Sequence, residues 1–557
     1  MDRFDQIFTD RQLVAMTTFS NLVQEVRERV QRDALGDGFP CNGKPLRDGG
    51  NGATAYAEAV GTFLAFALSK LGDYATTLCR WFPERDSARS TFSRQALSMS
   101  WDYTELNPVH DATGSFRNGY VWVAECVEQL VSLLVEARGF VGHTAQADAC
   151  TQILSRDRVV STDPPYYDNV PYADLSDFFY VWLRRSLRSV YPDLFATVAV
   201  PKAGELVAFA YRHDGRPEAE AFFLDGMTHA MHRLAEEAHP AFPITIYYAF
   251  KQAESDATLG TASTGWDTFL DAVIRSGFAI TGTWPMRTEL GNRMRGMGSN
   301  ALASSIVLVC RPRAANASTA TRREFVTALK AELPVALANL QHGNIAPVDL
   351  AQAAIGPGMA VYTRYAKVVD AEGKPLQVRQ ALALINQTLD EALAEQEGDF
   401  DADSRWAVTW FEQSGFAEGD YGVAEQLSKS KVTSVAGMAQ AGILISRGGK
   451  VRLFKPEELP SDWNPVTDPR LTAWEVVHQL IRSLETGGEG AAAGLVAKLG
   501  TKAEIARELA YRLYTVCERK KRAAEALSYN GLVQSWPEIT RLARETATAR
   551  PTQPQLI

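Results

Sequence analysis

The stretch VVSTDPPYYDN, Val159 to Asn169, holds the residues best suited to chemistry. A run of small and β-branched residues, the composition of a strand, ends in an acid, two prolines and two tyrosines. In open α/β sheets ligands bind beyond the carboxyl ends of the strands, and Asp163 stands at such an end. An exocyclic amine on a nucleobase is a poor nucleophile, because its lone pair is delocalised into the ring. A site that methylates it must draw the nitrogen toward tetrahedral geometry. Asp163 can accept one N–H and the Pro164 carbonyl the other, since a proline cannot donate and its fixed φ holds the turn open. Tyr166 offers a ring face to a base pulled out of the duplex. Such acceptors stabilise the positive charge developing on the nitrogen without a metal or a strong base. The bland alternative is a strand ending in an Asp-Pro turn. The apolar strand before DPPY and the α/β alternation around it favour the chemical reading.

The elements that must position these residues lie between about 141 and 315, where strand and helix alternate. Val159 to Thr162 is the first strand, and Leu175, Phe178, Phe179, Trp182, Leu183 and Leu187 line one face of the helix after it. A helix over about 217–238 leads to the strand ITIYYAF, then GWDTFLDAVIRSG reads as a helix closed by Gly277. FAITGTWPMRTE and ASSIVLVCRPR are two further strands, joined by the glycine- and arginine-bearing LGNRMRGMGSNAL. Residues 1–140 read as helical, opening with Thr9 and Gln12 at capping-box spacing. Residues 316–415 read as a helical linker region. Over 416–460 two short helices precede a hairpin turning at Gly448 and Gly449, an order that resembles a winged helix. Residues 461–557 are again helical, with a frayed tail.

Of 557 residues, 46% are apolar and 22% charged, and no unbroken apolar run has the length a bilayer requires. A membrane role is not expected. The charged N-terminus lacks an apolar export segment, so a cytoplasmic location is expected. Six scattered cysteines show no CxxC spacing, and His213, His229, His232 and His239 lack ligand spacing, so no metal is expected. The net charge of −9 argues against a nonspecific nucleic-acid coat but leaves room for local basic clusters.

DPPY resembles the catalytic motif of amino-methyltransferases that use S-adenosylmethionine, where Asp with Tyr is typical of adenine-specific DNA enzymes. The likeness extends to DPPYYDNVPYADLSDFFYVWLRR, YYAFKQ, GTWPMRTE and NALASSIVLVCRPR. Together these resemble the large prokaryotic adenine-specific DNA methylases that carry an N-terminal domain of unknown function and a zinc ribbon. The resemblance covers essentially the whole chain and is most specific from 159 to 313. It implies a catalytic set of Asp163, Pro164, Pro165 and Tyr166, S-adenosylmethionine as cofactor and double-stranded DNA as substrate. That family binds the cofactor through a glycine-rich turn of the DPFxGxG kind, which this sequence lacks, as it lacks the zinc-ribbon cysteines. Its best glycine cluster, ETGGEGAAAGLVAKLG, follows no strand and reads as a connection between helices. The chain is therefore expected to be the C-terminal, catalytic part of such a methylase, with a partial Rossmann-like class I methyltransferase sheet flanked by helical domains. A separate polypeptide would supply the glycine-rich cofactor loop, and the sheet edge beside Val159 to Thr162 would be uncovered.

Further candidates surround this core. Tyr167 belongs with the substrate-binding residues. Asp168 and Asn169 either contact the flipped base or cap the next helix. Lys251 either meets a phosphate or is solvated, and Arg293, Arg295 and Asn300 sit in a glycine loop suited to DNA backbone contact. In the winged segment Lys429, Lys431, Arg447 and Lys450 read as DNA-binding, with protein contact as the competing use. A reading of another class is a catalytically inactive DNA-binding or scaffold subunit of a modification or defence system, favoured by the missing glycine loop. Methylation of a protein glutamine goes with Asn in place of Asp163 and fits less well.

Overall fold

Thr9 and Gln12 satisfy each other's backbone as their spacing requires: the Thr9 hydroxyl accepts from Gln12 N at 3.2 Å, and Gln12 Oε1 accepts from Thr9 N at 2.9 Å. They open α1 (Asp10–Gly36). The structure is a computed structural model that describes residues 3–93, 96–136, 142–248, 264–287 and 304–548. The chain divides into two compact units, Met1–Asp148 with Asp168–Phe209, and Ala149–Tyr167 with Ala210–Ile557.

The first unit adds α2 (Ala53–Tyr74), a small antiparallel hairpin of β1 (Arg80–Phe82) and β2 (Ser87–Arg89), α3 (Phe116–Glu136) and α4 (Tyr172–Leu187). Phe178 and Trp182 of α4 are buried against Phe8, Met16, Leu68 and Leu71. The Ser186 and Ser20 hydroxyls meet at 3.1 Å. The apolar face of α4 finds its partners on α1 and α2, so the helix after the motif packs with the N-terminal helices.

The second unit holds β3 (Ser161–Thr162), α5 (Arg216–Glu237), β4 (Ile244–Tyr248), α6 (Thr264–Arg275), β5 (Phe278–Arg287) and β6 (Ser304–Pro312). The sheet order is β3-β4-β6-β5, with β3 parallel to β4 and β6 antiparallel to both its neighbours. Two residues form β3, fewer than the expected Val159 to Thr162, although the Val160 carbonyl still accepts from Thr245 N at 3.1 Å. Ile306 to Cys310 are buried, as a strand between two others requires. Gly277, at φ +96°, closes α6 as expected.

Residues 316–415 do more than link. After β7 (Thr319–Thr321) come α7 (Arg322–His342), α8 (Pro347–Thr363), β8 (Lys367–Val369), α9 (Val378–Glu395) and α10 (Ala402–Ser414), with β7 and β8 paired in parallel. Helix α8 lies on β5: Thr283 Oγ1 donates to the Ala353 carbonyl at 2.8 Å, and Thr363 Oγ1 accepts from Ile280 N at 2.9 Å. Only glycine fits at 356, where a Cβ would stand 2.2 Å from Thr283 Oγ1.

The winged order is present as β9 (Gly419–Asp420), α11 (Tyr421–Ser430), α12 (Val435–Gln440), β10 (Leu444–Arg447) and β11 (Lys450–Leu453), in a sheet ordered β10-β11-β9. Gly448 and Gly449 turn the hairpin at φ 60° and 75°, conformations that suit glycine. Three helices end the chain, α13 (Ala473–Leu499), α14 (Thr501–Arg519) and α15 (Ala523–Thr548). Buried Trp406, Trp410, Phe411, Trp474, His478 and Tyr529 form an aromatic core between α10, α13 and α15. ETGGEG lies inside α13, broken at Gly488 (φ 70°, ψ −171°), so the cluster joins two helical stretches. The architecture is mixed α/β. Among the described residues no helix is long and apolar enough to cross a membrane.

Candidate active site

Strand β3 ends at Thr162, level with Ile246 of β4, which sets Asp163 at the carboxyl end of the parallel pair. The register brings Tyr248 beside Ile306 and Arg287 beside Ser304, so β4 and β5 end, and β6 begins, at this same edge of the sheet. Asp163 is exposed, Pro164 is buried, and Pro165 and Tyr166 are half-buried. The buried proline anchors the turn and leaves the carboxylate facing solvent. Tyr166 Oη donates to Asp163 Oδ1 at 2.9 Å.

The Tyr166 ring meets Tyr248 edge-on, with centroids 5.2 Å apart. Tyr248 is itself buried and stacks on Phe269 of α6 at 4.0 Å, with Trp266 beside it at 5.5 Å. An aromatic tier from β4 and α6 thus backs the motif tyrosine. Sequence reasoning missed Tyr248, Trp266 and Phe269 as supports. The signal was the strand ITIYY, whose inward positions alternate, with Ile244, Ile246 and Tyr248 buried.

Tyr167 packs away from Asp163 and Tyr166. Its ring is buried, edge-on to Phe223 of α5 at 5.2 Å, and a Cβ at Gly265 would fall 2.9 Å from it. Tyr166 packs on Tyr248 of β4, whereas Tyr167 is taken into the core by Phe223 of α5. Asp168 and Asn169 do not cap α4, whose first residue follows Pro171 without a side-chain cap. Instead Glu205 accepts from Ala173 N at 3.0 Å, a carboxylate at the positive end of the helix. Asn169 is exposed and Asp168 half-buried. Lys251, Arg293, Arg295 and Asn300 lie outside the described residues.

The four cations of the winged segment differ in availability. Lys450 pairs with Asp420, which holds its ammonium above the usual lysine range, and Lys429 lies 3.5 Å from Glu425. Lys431 and Arg447 have no ion pair among the described residues; Arg447 is exposed and Lys431 half-buried. Arg452 forks onto Glu458 at 2.7 and 2.8 Å, holding that carboxyl low. Helix α12 is six residues long, with Val435, Gly437 and Met438 buried, and it turns Ala436 and Gln440 outward. A helix with that face lacks the arginine or lysine that most often reads base edges.

A cavity of about 510 Å³ along α6 has most of its charges paired. Arg379 holds Asp267 at 2.6 Å, Arg275 holds Asp271 at 2.7 Å, and Arg313 donates to the Ile274 and Tyr365 carbonyls. Among the described residues no cluster of three or more His, Cys, Asp or Glu could hold a metal ion.

A family described as a domain of unknown function (DUF8807) matches residues 401–556. That match spans α10, the winged segment and α13 to α15, the stretch that shares the aromatic core. No curated protein and no solved structure matches the chain.

Proposed function

We propose that the chain is the catalytic portion of an S-adenosylmethionine-dependent DNA methyltransferase acting on the exocyclic amino group of adenine. One observation carries the reading: an exposed carboxylate, a buried proline and a half-buried tyrosine stand in sequence at the carboxyl end of a parallel strand. Asp163 and the Pro164 carbonyl accept the two N–H bonds of the amine, and the Tyr166 ring stacks on the turned-out base. The cofactor supplies the methyl group. This chain's residues orient the nitrogen and stabilise the charge it acquires.

The sheet supports the expected incompleteness. Beyond β4, the antiparallel strands β6 and β5 finish one side, while β3 has a single ladder partner among the described residues. Further parallel strands, with the glycine-rich loop between them, would continue the sheet beside β3. A separate polypeptide supplying them is therefore part of the proposal, as is a cytoplasmic setting with duplex DNA. The lack of that loop in the sequence equally favours the inactive-subunit reading. Methyl transfer to duplex DNA separates the two. It should be absent with the chain alone, present when the loop-bearing polypeptide encoded beside it is added, and absent again with Asp163→Ala. Transfer unaffected by Asp163→Ala would overturn the site, and no transfer in any combination would favour the inactive subunit.

A further inference from the structure

Helix α3 turns more apolar surface to solvent than its packing on α2 uses. Phe63 and Phe66 on α2, with Trp122, Leu130, Leu133 and Leu134 on α3, are each between 39 and 58% exposed. The aromatic residues cluster at one end of this face, and the leucines continue it along α3. The Phe63 and Phe66 rings lie 6.2 Å apart, and Lys70, one turn further along α2, holds its ammonium 5.1 Å over the Trp122 ring. On α3, Phe116, Gly119, Val123 and Val127 are buried or half-buried. The same line continues at three- and four-residue steps into Leu130 and Leu134, which are exposed. The apolar stripe therefore runs past its cover.

We infer that this face is a self-association surface on which a second copy of the chain docks, independently of the methyl-transfer reading. Charge selects the occupant. Glu125, Glu128 and Ser132 fall on the opposite side of α3 at about 3.6 residues per turn. Lys70, the one charge within the patch, lies over the rings of Tyr74 and Trp122. A two-fold pairing sets the patch against itself, and Lys70, laid over its own aromatic rings, is the charge that such a pairing must accommodate. A strongly charged partner would find nothing to pair with. Area agrees: the six side chains leave on the order of 600 Å² uncovered. That is most of the roughly 800 Å² per partner that a standard interface takes.

The test is the mass of the full chain by light scattering and sedimentation from about one to one hundred micromolar, a range that brackets ordinary dimer affinities. Twice the chain mass is expected, and Leu130→Glu with Leu134→Glu should weaken association at least tenfold. These leucines are exposed, so the variant should keep the wild-type circular dichroism and melting temperature, which separates lost docking from lost folding. A short bismaleimide should join exposed Cys126 to its copy, and Cys126→Ser should abolish the product. A monomer at every concentration overturns the inference, even one that adsorbs to neutral phosphatidylcholine vesicles. So does a dimer that ignores the double substitution or is not linked through Cys126.

Discussion

The Tyr166 hydroxyl lies 2.9 Å from Asp163 Oδ1 and donates to it, so an acceptor that the proposed chemistry assigns to the amine is engaged before any base arrives. The carboxylate keeps further lone pairs for an incoming amine, so the tyrosine hydroxyl orients the acceptor and is not needed to fill it. Tyr166→Phe removes the donor and keeps the ring, so single-turnover methyl transfer in the completed complex should stay within a few fold of wild type. Asp163→Ala should lose about 100-fold or more, the scale of removing one preorganised polar group, and Tyr166→Ala about 10- to 100-fold, the scale of a lost base–aromatic stack. DNA affinity should change little with Asp163→Ala, because the carboxylate acts in the transition state. If Phe is as poor as Ala, the hydroxyl and not the stacked ring is the working group.

Lys431 and Arg447 lack ion pairs among the described residues, whereas Lys450 is held by Asp420, so the winged segment's cations should separate in a salt titration. Replacing Lys431 and Arg447 with Glu should lower the slope of log affinity for duplex DNA against log salt by about 2, near 0.9 for each phosphate no longer neutralised. Lys450→Glu should leave the slope nearly unchanged, because Asp420 already engages that ammonium, and should alter the melting temperature little, as for an exposed pair. An unchanged slope in the double variant would assign the module to protein contact, the use that the short, uncharged α12 favours.

Where the structure and the sequence reading part, long-range packing decides. The capping box at Thr9, the Gly277 helix end and the Gly448–Gly449 hairpin depend on neighbours a few residues away, and each stands where expected. The four strands of the central sheet were legible for the same reason, although β3 is shorter than its apolar run. Their order was not, because a period-two pattern is the same whichever neighbour a strand chooses. Nor does the apolar face of α4 say which core receives Phe178 and Trp182. Tyr166 and Tyr167 are adjacent and alike in type. That one backs onto Tyr248 while the other is buried against Phe223 follows from elements far along the chain.

Gly356 of α8 and Gly531 of α15 should respond oppositely to alanine. At 356 the new Cβ would stand 2.2 Å from Thr283 Oγ1 and 2.6 Å from the Thr283 backbone nitrogen, and the strand cannot retreat without disturbing its pairing with β6. The gain in helix propensity, about 1 kcal/mol, is outweighed by overpacking that costs roughly 1–3 kcal/mol and more where backbone is struck. Nothing lies within 4 Å at 531, so the propensity gain should appear alone. Urea midpoints should fall for Gly356→Ala and rise for Gly531→Ala. A rise for both would mean that α8 does not sit on β5 as closely as described.

Two buried groups on neighbouring positions of α13 should give opposing pH dependences. Burial, reinforced by Asp468, pushes the Glu475 carboxyl up to about 8, so the folded chain keeps a proton that the unfolded chain releases near 4.5. Its contribution is fully present below pH 4.5 and is lost as pH rises toward 8, at up to about 1.4 kcal/mol per pH unit. Burial lowers His478 to about 4. Its ring sits between the Trp474 carbonyl at 2.7 Å and the Tyr529 hydroxyl at 2.9 Å, an arrangement that suits neutral imidazole. That contribution is present above 6.5 and is lost as pH falls toward 4. Between 4.5 and 6.5 the two slopes offset each other, so stability from this pair should be level there and should decline only from 6.5 to 8. Glu475→Gln keeps the shape and removes the titration. Its urea midpoint should then climb from about pH 4 to 6.5 and stay flat to about 8, exposing the His478 limb. A variant whose midpoint still falls across that upper range would show that another group carries the alkaline limb.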